Sequence, residues 1–349
     1  MRAILFSILY RLSRLLVTKC LYVIQFLFRK SKDLEPAMKF GDIALTTLNK
    51  TLSPLFRFKL PKNSSVNVYD LTFDSPLIIS SFKSELPVLN MWLKMGMGGT
   101  ILKTIMKEER LGNPRPRLQD AYHLRQNNIL NSMGLPGPGI QKFCNEISSY
   151  SIWDFQRPVG VSVGGDNSNE YIQNIQTIHQ TLESISYPYF YELNISCPNT
   201  DNGRTIGEDP DELQNIIQQI RSSIHTILSV KVSPDLSNSV IQNIGEVCKS
   251  QDKIILNVGN TQFKQPNEVG IHPDNFSMEG GGFSGPSLFP RTLEMVQLVS
   301  QFQIPIIATG GLSTIHHVRA AINKGATLCG MATALVLDPF CIPKINSQL

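Results

Sequence analysis

Residues 159–195 read VGVSVGGDNSNEYIQNIQTIHQTLESISYPYFYELNI. Val159–Val163 is a short β-branched run closed by Gly164 and Gly165, and Tyr189–Ile195 is a second apolar run preceded by Pro188. Between them Ser168–Ile185 carries its apolar residues at helical spacing. A strand, a helix and a strand in so short a stretch predict two parallel strands joined by a helical crossover. The alternation continues on both sides. Leu77–Ser81 and Thr100–Lys103 read as strands upstream, and Ser229–Ser233, Lys253–Val258, Pro305–Thr309 and Thr327–Met331 downstream. Helical runs at Asp211–Ile227, Leu236–Lys249, Arg291–Gln301 and Ile315–Lys324 separate most of the later strands. Eight such strands predict an α/β fold, a (β/α)8 TIM barrel, in preference to a doubly wound open sheet. Alternating Val66, Val68, Leu71 and Phe73 predict a small hairpin that closes the barrel floor. In a barrel, chemistry sits at the carboxyl ends of the strands. Lys103, Asn194–Asn199, Asn257–Thr261, Gly310-Gly311 and Ala332-Thr333 fall at those ends, and Lys231 lies in the fifth strand.

The chain of 349 residues is 42% hydrophobic and 17% charged, enough to build a large core. Its net charge of +4 is unevenly placed. Arg2, Arg11, Arg14, Lys19, Arg29 and Lys30 give residues 1–30 a charge of +6 with no acid, and +4 less +6 leaves −2 for residues 31–349. A near-neutral body argues against a general nucleic-acid binder. Cys20, Cys144, Cys197, Cys248, Cys329 and Cys341 are scattered without a C-x-x-C pair. They fit neither a disulfide scaffold nor a zinc cluster, and a reducing compartment is expected. His316 and His317 are adjacent, about 100° apart on a helix, and chelate poorly; no metal site is expected.

The positive charge belongs to an apolar N-terminus. Within Ala3–Phe28 no uncharged run reaches the ~18 residues of a membrane-spanning helix. Ser7, Arg11, Arg14, Thr18, Gln25 and Arg29 follow at spacings of 4, 3, 4, 7 and 4, which is one stripe of a helix. The pattern predicts a helix lying in a membrane interface, apolar side toward lipid and basic side toward phosphates. A secretory signal peptide would need a longer uninterrupted apolar core and a small-residue cleavage site, whereas a mitochondrial transit peptide, or a helix packed on the protein's own body, shares part of the pattern. Lys30–Glu35, ahead of Pro36, reads as a helix end and hinge, and residues 37–60 as a second helical piece. The expected organisation is a basic amphipathic extension over 1–60 and a barrel over 61–349. After Leu335 the chain is short and holds Pro339 and Pro343, so the last face of the barrel is expected to be thin.

Asn194-Ile195-Ser196-Cys197-Pro198-Asn199-Thr200 ends the fourth strand. Three further motifs accompany it: Gly112-Asn113-Pro114-Arg115-Pro116-Arg117, Asn131-Ser132-Met133-Gly134-Leu135-Pro136 and Gly280-Gly281-Gly282-Phe283-Ser284-Gly285. With these residues in this order the chain resembles the dihydroorotate dehydrogenases, flavin enzymes of pyrimidine synthesis, from about residue 40 to about residue 335. The resemblance implies FMN as cofactor and dihydroorotate as substrate, which loses a proton from C5 and a hydride from C6 to become orotate. Cys197 matches the family's base, set opposite the flavin. Asn131, Asn194, Asn199 and Asn260 match the amides around the substrate ring, with Met133, Gly134, Leu135 and Thr261 beside them. Amides offer donors and acceptors to a planar pyrimidinedione without adding charge. In the sixth strand Asn257 and Asn260-Thr261 each match the family's Asn-Ser or Asn-Thr pair. Lys103, next to Thr104, and Lys231 match two flavin lysines, whose charge favours the reduced form. Ser80 and Ser81 match small residues beside the flavin. Gly281, Gly282, Ser284, Gly285, Gly310, Gly311, Ala332 and Thr333 match the surroundings of its phosphate.

The chain combines features of the family's two divisions. Cys197 and Lys103 resemble the soluble division; the N-terminus and the Arg115–Arg117 segment resemble the membrane-bound one, which passes electrons to quinone. The resemblance therefore implies a quinone acceptor and a peripheral place on the cytoplasmic face of a membrane, or on the mitochondrial inner membrane in a eukaryote. The alternatives are a soluble acceptor, fumarate or NAD through a partner, and a degenerate, non-catalytic barrel serving as a scaffold. Phe82 stands where the family has smaller residues, with Lys83 close to the place of the membrane-type lysine.

Overall fold

The structure is a computed structural model and describes residues 1–195 and 206–349. Two helices lead, α1 (Arg2–Leu27) and α2 (Glu35–Thr51), followed by a hairpin of β1 (Val66–Val68) and β2 (Leu71–Phe73). Then come β3 (Leu77–Ile79), α3 (Leu86–Met95), β4 (Gly99–Ile105), β5 (Leu118–His123), β6 (Gln126–Asn131), α4 (Ile140–Ile147), β7 (Val159–Val163), α5 (Ser168–Leu182) and β8 (Tyr189–Leu193). The second half holds α6 (Pro210–Arg221), β9 (Leu228–Val232), α7 (Asn238–Lys249), β10 (Ile254–Val258), β11 (Gln262–Lys264), β12 (Gly281–Ser284), α8 (Phe289–Val299), β13 (Ile306–Thr309), α9 (Ile315–Asn323), β14 (Leu328–Met331), α10 (Thr333–Leu337) and α11 (Cys341–Asn346).

All eight expected strands are present, and they close into a parallel barrel in the order β3-β4-β7-β8-β9-β10-β13-β14. Residues of β7, β9 and β10 are buried on both faces, as strands sandwiched between barrel interior and helices must be. The helices start where side chains cap them: Asn167, Asp209, Ser237 and Thr314 each accept from a first-turn backbone N–H. α6 stops at Arg221, short of the expected Ile227. There the Arg221 guanidinium donates to the carbonyls of Ile224 and Thr226 and holds the chain in a turn toward β9. The β1–β2 hairpin plugs the floor: Val68, Leu71 and Phe73 pack with Ile101, Phe190, Ile255, Ile307 and Leu328.

A second, antiparallel sheet, β11-β12-β6-β5, was not expected from the pattern. Its strands are short and polar, QNNILN and GGFS among them, and lack the alternation that marks a half-buried strand.

The N-terminal helix lies differently from its sequence expectation. Most of the polar stripe faces the protein, while Arg11 and Arg29 stay exposed. Ser7, Thr18 and Gln25 are buried. Ser7 Oγ donates to Asp338 Oδ2 at 2.6 Å, Arg14 pairs with Asp120 at 2.5 Å, and Gln25 exchanges two hydrogen bonds with the backbone of Asp33. Tyr10 Oη donates to the Val336 carbonyl, and Phe6 and Tyr10 pack on Phe340 with centroids 5.4 and 6.5 Å away. The apolar residues point outward instead, from Ile4, Leu5 and Leu9 to Leu16 and Phe28. The stripe turns inward because the barrel supplies it with charged and hydrogen-bonding partners. The same contacts correct the expected thin last face: α10 and α11 are short, and α1 lies across them.

Phe340→Ala is therefore expected to cost about 3–5 kcal/mol in denaturant unfolding, since it empties a cluster shared by α1 and the barrel. Ile24→Ala, on the outward face, is expected to stay within about 0.5 kcal/mol of the parent.

Candidate active site

One cavity of about 270 Å³ opens at the carboxyl ends of the barrel strands. It gathers most of the residues expected there. Ser80, Ser81, Lys103, Thr104, Asn131, Met133, Leu135, Asn194, Lys231, Asn260, Thr261, Ser284, Gly285, Gly310, Gly311, Ala332 and Thr333 all line it. Cys197 and Asn199 lie outside the described residues. Four expected residues are not in the lining. Gly134 packs against Asn113. Gly281 and Gly282 sit in β12, where an added Cβ would come within 2.4 Å of the Asn131 carbonyl and 2.2 Å of Thr261 Oγ1. These two glycines let β12 press against β6 and the Thr261 loop. Asn257 is fully buried in β10, whereas Asn260 and Thr261 are in the wall, so the two matches in the sixth strand occupy different levels.

A hydrogen-bonded chain runs beneath the cavity. Lys231 Nζ donates to Ser81 Oγ at 3.0 Å, and Ser81 Oγ donates to Glu192 Oε1 at 2.8 Å. Asn257 Nδ2 donates to Glu192 Oε2 at 2.6 Å, and Thr309 Oγ1 donates to Asn257 Oδ1 at 2.7 Å. Glu192 is completely buried. Sequence reasoning missed it, although a lone carboxylate inside the run YFYEL is the signal that marks it. Beside this chain, Asn194 Nδ2 donates to Thr104 Oγ1 at 2.8 Å, which in turn meets Ser162 Oγ at 3.0 Å. Asn131 Nδ2 donates to the Gly282 carbonyl at 3.0 Å, so the second sheet aims this amide at the cavity. Thr333 Oγ1 donates to Ser284 Oγ at 2.8 Å and joins the second sheet to the end of β14.

The outer wall comes from α2. Glu35, Met38, Lys39 and Asp42 line the cavity opposite Phe82, Lys83 and Glu85. Asp42 pairs with Lys83, and burial raises the Asp42 carboxyl above its usual range despite that ammonium. Arg115 pairs with Asp33 at 2.6 Å, and Arg117 with Glu35 at 3.1 Å, so the two arginines of the Gly112–Arg117 motif clamp the start of α2. Burial alone would raise the Glu35 carboxyl, but hydrogen bonds and charge from Arg117, with Lys39 and Arg115, outweigh it and hold it below the usual range. The bulk of Phe82 is taken up by stacking on Trp92, with centroids 5.7 Å apart.

Burial pushes the Lys103 ammonium down to about 8, with Glu85 the largest opposing influence. The cavity therefore carries this positive charge at neutral pH and loses it as pH rises past about 8.

Comparison with known proteins agrees with this geometry. A family model described as Dihydroorotate dehydrogenase matches residues 63–349, leaving α1 and α2 outside the match. A protein of Aquifex aeolicus (strain VF5), provisionally named dihydroorotate dehydrogenase A (fumarate), is 29% identical over 287 residues, covering 80% of this chain and 90% of that one. The catalytic subunit of dihydroorotate dehydrogenase B (NAD(+)) from Malacoplasma penetrans (strain HF-2) is 29% identical over 259 residues, 72% of this chain and 80% of that one. Among solved structures, ligand-free DHODH of Eimeria tenella superposes with a TM-score of 0.73 at 21% identity, covering 89% of this chain and 93% of that one. Its complex with ferulenol gives 0.72, covering 88% and 89%. At this identity the structural likeness speaks for the fold.

The Lys103 titration sets a testable pH dependence. Because the folded pKa lies below the unfolded value of ~10.4, the unfolded chain binds more protons between about 8 and about 10. Lys103 should then make stability rise with pH across that window. Lys103→Met is expected to flatten that rise in unfolding curves taken against the parent at each pH.

Proposed function

Because the chain belongs to the dihydroorotate dehydrogenase family, its barrel is an oxidoreductase that takes dihydroorotate to orotate; we propose that it does so with FMN in the cavity, Cys197 as the base and a membrane quinone as electron acceptor. One observation carries the reading beyond the family: three neutral amides, Asn131, Asn194 and Asn260, converge in one cavity with the cations of Lys103 and Lys231. Amides suit a planar pyrimidinedione, and cations suit the electron-rich edge of a reduced flavin.

The residues present fit FMN. Ser80 Oγ is buried in the cavity wall with no hydrogen-bond partner among the described residues. At Gly330, also in the wall, a Cβ would come within 2.2 Å of Thr309 Oγ1 and 2.7 Å of Ser80 Oγ, so this side of the cavity stays flat. Lys103, Lys231 and Ser80 would hold the ring. Gly310, Gly311, Ala332, Thr333, Ser284 and Gly285 would hold the phosphate at the ends of β13 and β14, where barrels commonly bind one. When bound, FMN supplies the acceptor for the hydride from C6. Cys197 takes the C5 proton on its Sγ, and Asn131, Asn194, Asn199 and Asn260 orient the substrate ring toward it. Lys103 and Lys231 balance the negative charge that develops on that side of the site.

The outward residues Leu9, Leu12 and Leu16 of α1, Phe28 just past its end, and Phe40 and Ile43 of α2 support docking of residues 1–30 on a membrane surface. Among the described residues no helix is long and apolar enough to cross a membrane. The extension over 1–60 then rests its apolar face in the lipid interface, with the exposed Arg11, Lys19 and Arg29 at headgroup level. The face toward lipid is the apolar one, and part of the polar stripe serves the barrel. The enzyme is peripheral, on the cytoplasmic face of a membrane or on the mitochondrial inner membrane in a eukaryote. Since α2 also forms the cavity wall, a lipid-soluble quinone reaches the site beneath it. A second reading, the same reaction with a soluble acceptor, is favoured by the relatives named for fumarate and NAD(+).

Two experiments separate these readings. Leu9→Glu, Leu16→Glu and Phe28→Glu together are expected to abolish co-flotation with phosphatidylcholine–phosphatidylglycerol vesicles and turnover with quinone, while orotate formation toward a soluble dye persists. Turnover of the parent with fumarate or NAD(+), and none with quinone, would favour the second reading instead. Cys197→Ala is expected to lower orotate formation by about 10²–10⁴-fold, with partial activity in Cys197→Ser; undiminished activity in the alanine variant would remove Cys197 as the base.

A further inference from the structure

Among the described residues, Glu192 is the one buried carboxylate of the inner barrel that the reaction above leaves without a role. It does not line the cavity, yet it lies one hydroxyl away from Lys231, which does. We propose that Glu192 is a positioning residue that holds the Lys231 ammonium in place through Ser81. The inference rests on the flavin reading of the cavity.

The argument is one of donors and acceptors. An ionised carboxylate only accepts hydrogen bonds. Ser81 has one hydroxyl proton, and Glu192 Oε1 takes it, so the lone pairs of Ser81 Oγ are left for Lys231 Nζ. The other carboxylate oxygen accepts from Asn257 Nδ2, and Thr309 fixes that amide by donating to Asn257 Oδ1. Every member of the chain therefore points one way, from Thr309 and Asn257 on one side and from Lys231 and Ser81 on the other, toward Glu192. A glutamine at this position breaks the order. Its oxygen would stay with Asn257, whose orientation Thr309 holds, and its NH₂ would face Ser81. Ser81 would then accept from residue 192, its own proton would lose the acceptor that fixes it, and the negative charge one hydroxyl away from the ammonium would be gone. The volume barely changes while the fixed hydroxyl and the counter-charge that seat Lys231 are lost.

The test is a double-mutant cycle on the flavin dissociation constant, read from flavin fluorescence as the holoenzyme is diluted, with thermal melting as the folding control. Glu192→Gln and Lys231→Met are each expected to weaken FMN binding by roughly tenfold or more, the loss of a charge-assisted hydrogen bond. If Glu192 acts through Lys231, the double variant binds FMN no more weakly than Lys231→Met alone. Effects that multiply in the double variant, or a Glu192→Gln variant that binds FMN like the parent, would overturn the proposal. Should Glu192→Gln fail to fold, Ser81→Ala replaces it in the same cycle, with the same non-additivity expected and the same multiplicative result contradicting it. A parent protein that carries and binds no FMN would overturn the flavin reading itself and this inference with it. Failure of the cycle in a parent that does bind FMN overturns the inference alone.

Discussion

A carboxylate on the inner face of a closed barrel is tolerated only when both of its oxygens are satisfied. Glu192 meets that condition by drawing on distant strands: Ser81 follows β3, Asn257 is in β10, and Thr309 ends β13. β3 and β8 are not neighbours in the barrel, so the Ser81–Glu192 bond crosses its interior. The registers of these strands therefore have to agree, and their agreement fixes the floor on which Lys231, Asn194 and Thr104 stand. The apolar core holds the barrel closed; this polar chain decides which side chains face the cavity and how.

The second dependence runs from the barrel to its N-terminal helices. After β14 the barrel is covered by the short helices α10 and α11, and α1 completes the cover using Phe6, Tyr10 and Ser7. With most of the polar stripe turned to the barrel, the apolar side of the same helix faces out. α2, clamped by Arg115 and Arg117, continues that outward surface and also walls the cavity. One helical pair thus bears on stability, on surface chemistry and on access to the site.

Much of this was legible in the residues. Parallel strands buried on both faces are continuous apolar runs, so β7, β9 and β10 could be read to within a residue. From α5 onward the long helices between strands were readable from their period, except where Arg221 ends α6 through bonds to carbonyls that are close only in the folded chain. The second sheet was hidden because its strands are held by pairing with one another and not by an apolar face. Glycine is ambiguous in sequence: Gly310 and Gly311 belong to the cavity wall, while Gly281 and Gly282 serve strand packing. The polar stripe of α1 was visible, but its direction was not, because periodicity defines a face without saying what it meets. Glu192 was visible as an oddity, and its partners come from positions 81 and 257, far apart in the chain.

The most direct measurement is an anaerobic titration of the purified protein with dihydroorotate, followed in the visible flavin band. A yellow protein whose band bleaches with one equivalent of dihydroorotate per flavin, releasing one orotate, is the expected result. A colourless protein, or a flavin band that dihydroorotate leaves unchanged, would contradict it.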